Sequence, residues 1–97
     1  MKSGTHTMYM KMEVLKQRLL YIQGKAMREF KTIKVEFNNT DLIYEKRHID
    51  IGMRCDGKLV FHANGNVDKA KTLRCFDQGQ TGELVILLGS GRMYVKK

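Results

Sequence analysis

The spacing of the apolar residues changes near residue 24, and this change constrains the fold more than any other feature of the sequence. Before it, apolar residues recur at steps of three and four, at Met8, Met12, Leu15, Leu19 and Ile22. Such spacing places them on one stripe of an α-helix, with Thr5 or Thr7 as its cap and Gly24 as its end. The stripe covers about two heptads, so a buried core face is expected and a coiled-coil homodimer is the alternative.

Beyond residue 30, apolar and polar residues alternate, which is the pattern of half-buried β-strands. Strands are predicted over residues 31–37, 42–47, 48–55, 58–63, 83–88 and 92–97. Residues 38–41 predict a turn, and Asp56 with Gly57 predicts a hairpin. A second short helix is predicted from a cap at Asn66 to near Gly79, with Val67, Ala70, Leu73 and Phe76 at steps of three.

The order of these elements predicts a single α+β domain over residues 1–97. The connections are short and the chain has no proline. Short connections join antiparallel strands, whereas parallel strands need long crossovers. We therefore expect one antiparallel sheet of five to six strands, with the N-terminal helix and the second helix on one side.

The charge of the chain narrows the class of partner. Eighteen Lys and Arg against ten Asp and Glu give a net charge of +8. A positive potential of this size attracts nucleic acid, an anionic membrane or an acidic protein. A basic surface that only maintains solubility is the alternative.

The two cysteines, Cys55 and Cys75, show neither zinc spacing nor a disulfide framework. We therefore expect a reduced, cytoplasmic protein. No apolar run is long enough for a membrane span, and the first residues do not resemble a signal peptide.

The sequence also predicts no catalytic residue, no metal site and no cofactor, and therefore no enzyme. His48 and His62 fall on the polar face of their predicted strands, whereas Cys55 falls on the apolar face. A nucleophile needs an adjacent base and an orienting group, and no such set is visible. The glycine-rich segments 79–82 and 89–91 lack phosphate-loop spacing, so they are expected to be turns.

The second half of the chain resembles a known family, the MotA-type double-wing domain of T-even phage middle-promoter activators. The resemblance covers residues 30–97, and the first helix corresponds to the helical entry of that domain. It is carried by segments 34–37 and 45–47, the turn at Asp56 and Gly57, the short helix before Gly79 and the hairpin through 89–91. It implies a phage-encoded protein whose saddle-like sheet lies on DNA. Transcription activation is not implied, because the chain has no room for the separate activation domain.

Basic and aromatic residues on the polar faces and turns form the predicted nucleic-acid-binding surface. They are Lys31, Lys34, Lys46, Arg47, Arg54, Lys58, Arg92, Tyr94, Lys96 and Lys97. Such residues contact phosphates whatever the base sequence, and Tyr94 and Tyr44 are suited to stack on bases. We therefore predict a small protein that binds the backbone of DNA or RNA through a sheet face. The alternative is a phage counter-defence inhibitor or adaptor that binds a host protein or toxin.

Overall fold

The computed structural model describes residues 4–96, with side chains from residue 7 onwards. In this range one helix precedes eight strands. They are α1 (Gly4–Arg28), β1 (Ile33–Asn38), β2 (Asp41–Tyr44), β3 (Arg47–Asp50), β4 (Arg54–Asp56), β5 (Lys58–Phe61), β6 (Lys71–Asp77), β7 (Gln80–Ile86) and β8 (Met93–Lys96).

The apolar stripe of α1 is buried as predicted. Its members have at most 4% of their surface exposed, at Met8, Met12, Leu15, Leu19 and Ile22. Ala26, which is also fully buried, extends the stripe by one more turn. The prediction that Gly24 ends the helix is wrong, because burial of this extra turn outweighs the cost of about 1 kcal/mol that an internal glycine carries.

The helix ends at a left-handed residue that is not glycine. Phe30 has a φ of 52°. Its N–H donates to the carbonyl of Met27 (3.4 Å), and the N–H of Lys31 donates to the carbonyl of Ala26 (3.0 Å). This pair of hydrogen bonds is the Schellman motif, which satisfies the last helical carbonyls.

The strands form two antiparallel sheets of four strands each. Sheet A has the order β3-β2-β1-β5, and sheet B has the order β4-β6-β7-β8. Both inner faces join the buried side of α1 in one core. The α+β class is confirmed, but residues 4–96 form eight strands in two sheets instead of five to six in one. The double-wing architecture stays a prediction.

The extra sheet arises where a hairpin was predicted, at Asp56 and Gly57. β4 and β5 do not pair with each other, since β4 pairs with β6 and β5 pairs with β1. The chain instead passes from sheet B into sheet A through Gly57, whose φ is 110°. A Cβ at this position would lie 3.2 Å from Leu73, so glycine satisfies both the backbone angle and the close approach of the sheets.

The predicted second helix is wrong, because its C-terminal half is strand β6. Leu73 and Cys75 face the core, whereas Arg74 and Phe76 are exposed, which is a period of two. Cys75 lies opposite Cys55 on β4, and the two form a disulfide. The expectation of reduced cysteines is therefore also wrong, because strand pairing brings together two residues that are 20 positions apart.

Two predicted strands are interrupted by turns. The predicted turn at residues 38–41 is confirmed as the β1-β2 hairpin. The strand predicted over 42–47 breaks at Glu45 and Lys46, which have positive φ values of 49° and 66°. The strand predicted over 48–55 breaks at Gly52, where φ is 71°. In residues 4–96 no helix is long and apolar enough to cross a membrane.

Candidate nucleic-acid interface

The predicted binding residues do not share one surface. Lys34 and Lys58 lie on the outer face of sheet A, while Arg54, Tyr94 and Lys96 lie on the outer face of sheet B. Lys46 and Arg47 lie at the β2-β3 turn, Lys31 follows α1, and Arg92 lies in the β7-β8 connection. Lys97 lies outside the described residues. The second sheet separates side chains that a single sheet would have placed together.

Lys31 is compensated by two carboxylates. Its ammonium lies 2.9 Å from Glu29 and also pairs with Glu45. Lys25 bridges the same carboxylates, at 2.8 Å and 3.2 Å. Glu45 and Glu29 raise the pKa of Lys31, while Lys31 lowers the pKa of Glu45. These pairs tie the end of α1 to the β2-β3 turn and leave little free charge there for phosphate.

The outer face of sheet B carries a balanced row of charges. Asp56, Arg74, Glu83 and Lys96 are neighbours across four strands. Arg74 Nε lies 2.9 Å from Glu83 Oε2, and Lys96 Nζ lies 3.6 Å from Oε1 of the same carboxylate. The hydrogen bond from Arg74 lowers the pKa of Glu83. Alternating charges of this kind stabilise the sheet, but they do not form a basic track.

One of the two predicted stacking residues is accessible. Tyr44 is only 5% exposed and belongs to the core, so it cannot stack on a base. Tyr94 is 50% exposed on the outer face of sheet B, opposite Val85. Of the two predicted stacking residues, only Tyr94 is exposed enough to contact a base.

A cluster of lysines lies where the two sheets meet. Four of them line one cavity of about 490 Å³, and we call this cavity the lysine groove: Lys34, Lys58, Lys69 and Lys71. Lys34 and Lys58 are among the residues predicted from the sequence. Lys69 and Lys71 are not, because both fall within the predicted second helix. Lys69 and Lys71 are two positions apart, and residues two apart lie on the same face of a strand. This spacing could have predicted that both lysines lie on one side at the start of a strand.

The lysine groove has an apolar floor and a fixed rim. Val35, Leu59 and Leu73 line it from the core side and are at most 1% exposed. The ammonium of Lys71 donates a hydrogen bond to the backbone carbonyl of Lys58, which joins β6 to β5 across the groove. The segment before β6 is held by the N–H of Asp68, which donates to the carbonyl of Val60 (3.2 Å).

The lysine groove retains positive charge. Its lining contains four lysines and two carboxylates, Glu36 and Asp68, which leaves a net charge of +2. Within residues 4–96 no salt bridge joins these lysines to an acidic group, although Glu36 lies opposite Lys58 in the strand register. Lys34, Lys58 and Lys69 are exposed, and Lys71 is half-buried. The groove therefore offers ammonium groups that a bound anion can reach.

Metal ligation finds no support in the described part of the chain. There, no group of three or more His, Cys, Asp or Glu side chains is placed to hold a metal ion. His48 lies 3.6 Å from Asp41 on the outer face of sheet A, whereas Cys55 is in the core and bonded to Cys75.

No family model, curated protein or solved structure matches this chain. The double-wing resemblance therefore stays a prediction.

Proposed function

We propose that this chain binds the phosphate backbone of DNA or RNA, and that the lysine groove is the contact surface. The observation that carries the proposal is the convergence of four lysines, free of salt bridges within the described residues, on one open cavity. Lysine is a compact point charge that suits phosphate contacts without reading base sequence. The proposal therefore keeps the predicted partner and moves the surface from a sheet face to the junction of two sheets.

The remaining basic residues have secondary roles in this proposal. Lys31 and Lys96 are held by carboxylates, so releasing them for phosphate would break existing ion pairs. Lys46, Arg47 and Arg92 contribute to the long-range potential that attracts a polyanion.

The compartment in the proposal differs from the cytoplasm expected from the sequence. Disulfides persist mainly in oxidising environments, and reducing cytoplasm keeps most thiols free. We therefore place the chain in an oxidising compartment. Phage origin stays a prediction.

The test is a binding assay with variants matched in net charge. Lys58→Ala/Lys69→Ala removes two groove lysines, while Lys31→Ala/Lys96→Ala removes two lysines already paired with carboxylates. Fluorescence anisotropy is measured with duplex DNA, single-stranded DNA and RNA. Counterion release by two phosphate contacts raises the affinity for duplex DNA by about 30-fold near 0.15 M salt.

We expect the groove variant to lose about that factor and the control to lose much less. Equal losses in the two variants would show that only net charge matters. An unaffected groove variant would place the contact elsewhere.

A second candidate function, binding a host protein, is favoured by Phe30. This side chain is 85% exposed while its backbone holds a left-handed conformation. Met27, one turn earlier, is 47% exposed. Exposed aromatic residues anchor many protein interfaces. A pull-down with and without nuclease separates the two functions, since a partner that survives nuclease and high salt binds the protein directly.

A further inference from the structure

The outer edge of β3 has no strand neighbour among the described residues, because β3 ends the order of sheet A. The N–H of Ile51 donates to the carbonyl of Thr40 (2.8 Å), so it points towards β2. The backbone N–H and C=O groups of successive residues point to alternate sides of a strand, so those of Ile49 also point towards β2. The N–H and C=O groups of His48 and Asp50 consequently face away from the sheet, and both residues are exposed.

We propose that a second copy of this chain pairs antiparallel with this edge, on a twofold axis that passes beside Ile49. In this register His48 lies opposite Asp50 of the partner subunit, and Asp50 lies opposite the partner's His48. Both pairs exchange backbone hydrogen bonds, because these residues carry the outward-facing groups. The interface is isologous, as expected for a symmetric dimer.

The side chains of this edge select the same register. His48 uses Nδ1 towards Asp41 (3.6 Å), which leaves Nε2 free to reach the partner. Asp50 Oδ1 accepts a hydrogen bond from the N–H of Gly52 (2.8 Å), which leaves Oδ2 to accept one from the partner subunit. Nε2 can donate to this carboxylate in the protonated imidazole and in the neutral tautomer that carries its proton on Nε2. The pairing is therefore complementary in both directions.

The neighbouring registers are unfavourable. A shift of two residues in register places His48 opposite the partner's His48, or Asp50 opposite the partner's Asp50. Asp50 already lies opposite Asp41 within sheet A. A further carboxylate in this row would add repulsion between like charges. The electrostatics of the edge thus favour the register centred on Ile49.

An apolar cavity beside Ile49 supports a second copy as the occupant. The cavity has a volume of about 360 Å³, and its lining includes Ile49, Val14 and Tyr21. Val14 is 56% exposed and Tyr21 is 57% exposed, on the flank of α1. The twofold axis would bring this cavity next to its counterpart, so the same pairing that satisfies the strand edges also covers apolar surface.

The experiment is sedimentation equilibrium of the 97-residue chain without nucleic acid, from about 10 µM to about 1 mM, a range suited to a small interface. His48→Asp places two carboxylates opposite each other at both symmetric positions, and Asp50→Lys removes at both positions the carboxylate that the partner's His48 contacts. Each cross-strand pair is worth up to about 1 kcal/mol, so each variant should weaken dimerisation by about tenfold or more. In a mixture of the two variants, one position sets the introduced carboxylate opposite the introduced ammonium and the other keeps the original pair of His48 and Asp50, so the mixture should form a heterodimer.

A further variant tests the backbone pairing. Asp50→Pro removes an outward-facing N–H, and proline is tolerated at an edge position whose N–H faces solvent. We expect it to abolish the dimer with the circular dichroism spectrum retained. A wild-type chain that stays monomeric, variants that dimerise as the wild type does, or a mixture that stays monomeric would each overturn the proposal. Because nucleic acid is absent, its failure is distinct from failure of the lysine groove.

Discussion

Reduction of the disulfide between Cys55 and Cys75 should destabilise the fold strongly. The bond cross-links residues separated by 20 positions. For a loop of this length, the chain-entropy relation gives about 11 cal/mol/K, or about 3.3 kcal/mol at 25 °C. Domains of this size unfold with roughly 5–15 kcal/mol in total, so the loss is a large fraction of stability.

The same figure predicts a shift in melting temperature. The entropy of unfolding is about 2.1 cal/mol/K per residue, which is roughly 0.2 kcal/mol/K for this chain. A loss of about 3.3 kcal/mol then lowers Tm by about 15 °C. Because the disulfide links β4 to β6 beside Gly57, the strands that form the lysine groove should also loosen.

The assay compares thermal unfolding, followed by circular dichroism, of the oxidised chain, the chain refolded in reductant and the Cys55→Ala/Cys75→Ala variant. Alanine is preferred to serine because Cys75 is fully buried, and a hydroxyl there would need a partner. The reduced wild type retains both sulfur atoms, so its difference from the alanine variant isolates lost packing. Melting temperatures of oxidised and reduced chains that agree within about 3 °C would refute the argument. Two free thiols in protein unfolded without reductant would also refute it.

Three further predictions concern the fold. Phe30→Gly should stabilise the chain by about 0.5–1 kcal/mol in urea unfolding, since glycine accepts the left-handed backbone angle. Phe30→Ala should give no such stabilisation. Equal effects of the two substitutions would show that the backbone is not strained. Gly82→Ala should destabilise the fold by about 1–3 kcal/mol in the same assay, because the added Cβ would lie 2.6 Å from Met12 Cγ. An unchanged stability would mean that the Met12 side chain moves aside freely. Lys25 lowers the pKa of Glu29 to about 2, with Lys31 as the second partner. The stability that this shift contributes is complete above the ordinary pKa of 4.5 and is lost as pH falls towards about 2. Glu29→Gln should therefore reduce the pH dependence of the free energy of unfolding, measured in urea at several pH values. An unchanged pH dependence in this variant would contradict the prediction.

The elements that depend on local spacing could be predicted from the sequence. The stripe of α1, the alternation in β1 and the final hairpin follow from which positions must be buried. The second helix failed because two periods compete over residues 67–77. Steps of three link Leu73 to Phe76, but Leu73 and Cys75 are the residues that enter the core, and Phe76 is 40% exposed.

Features that depend on tertiary contacts could not be predicted. The turn at Glu45 and Lys46 has neither glycine nor asparagine, and Glu45 is held there by Lys25 and Lys31. The disulfide needs the β4-β6 pairing, which spacing alone does not reveal. Two of the ten predicted binding residues, Lys34 and Lys58, line the lysine groove. The other two lysines, Lys69 and Lys71, lie where the chain returns from sheet A to sheet B between β5 and β6.

The salt dependence of nucleic-acid binding shows whether the lysine groove contacts phosphates. If all four groove lysines contact phosphates, log affinity for duplex DNA should fall with log salt at a slope of about −3.6. In Lys58→Ala/Lys69→Ala the slope should be about −1.8, since two of these contacts are removed. A wild-type affinity that does not change with salt, or a slope that is the same in the variant, would contradict the account.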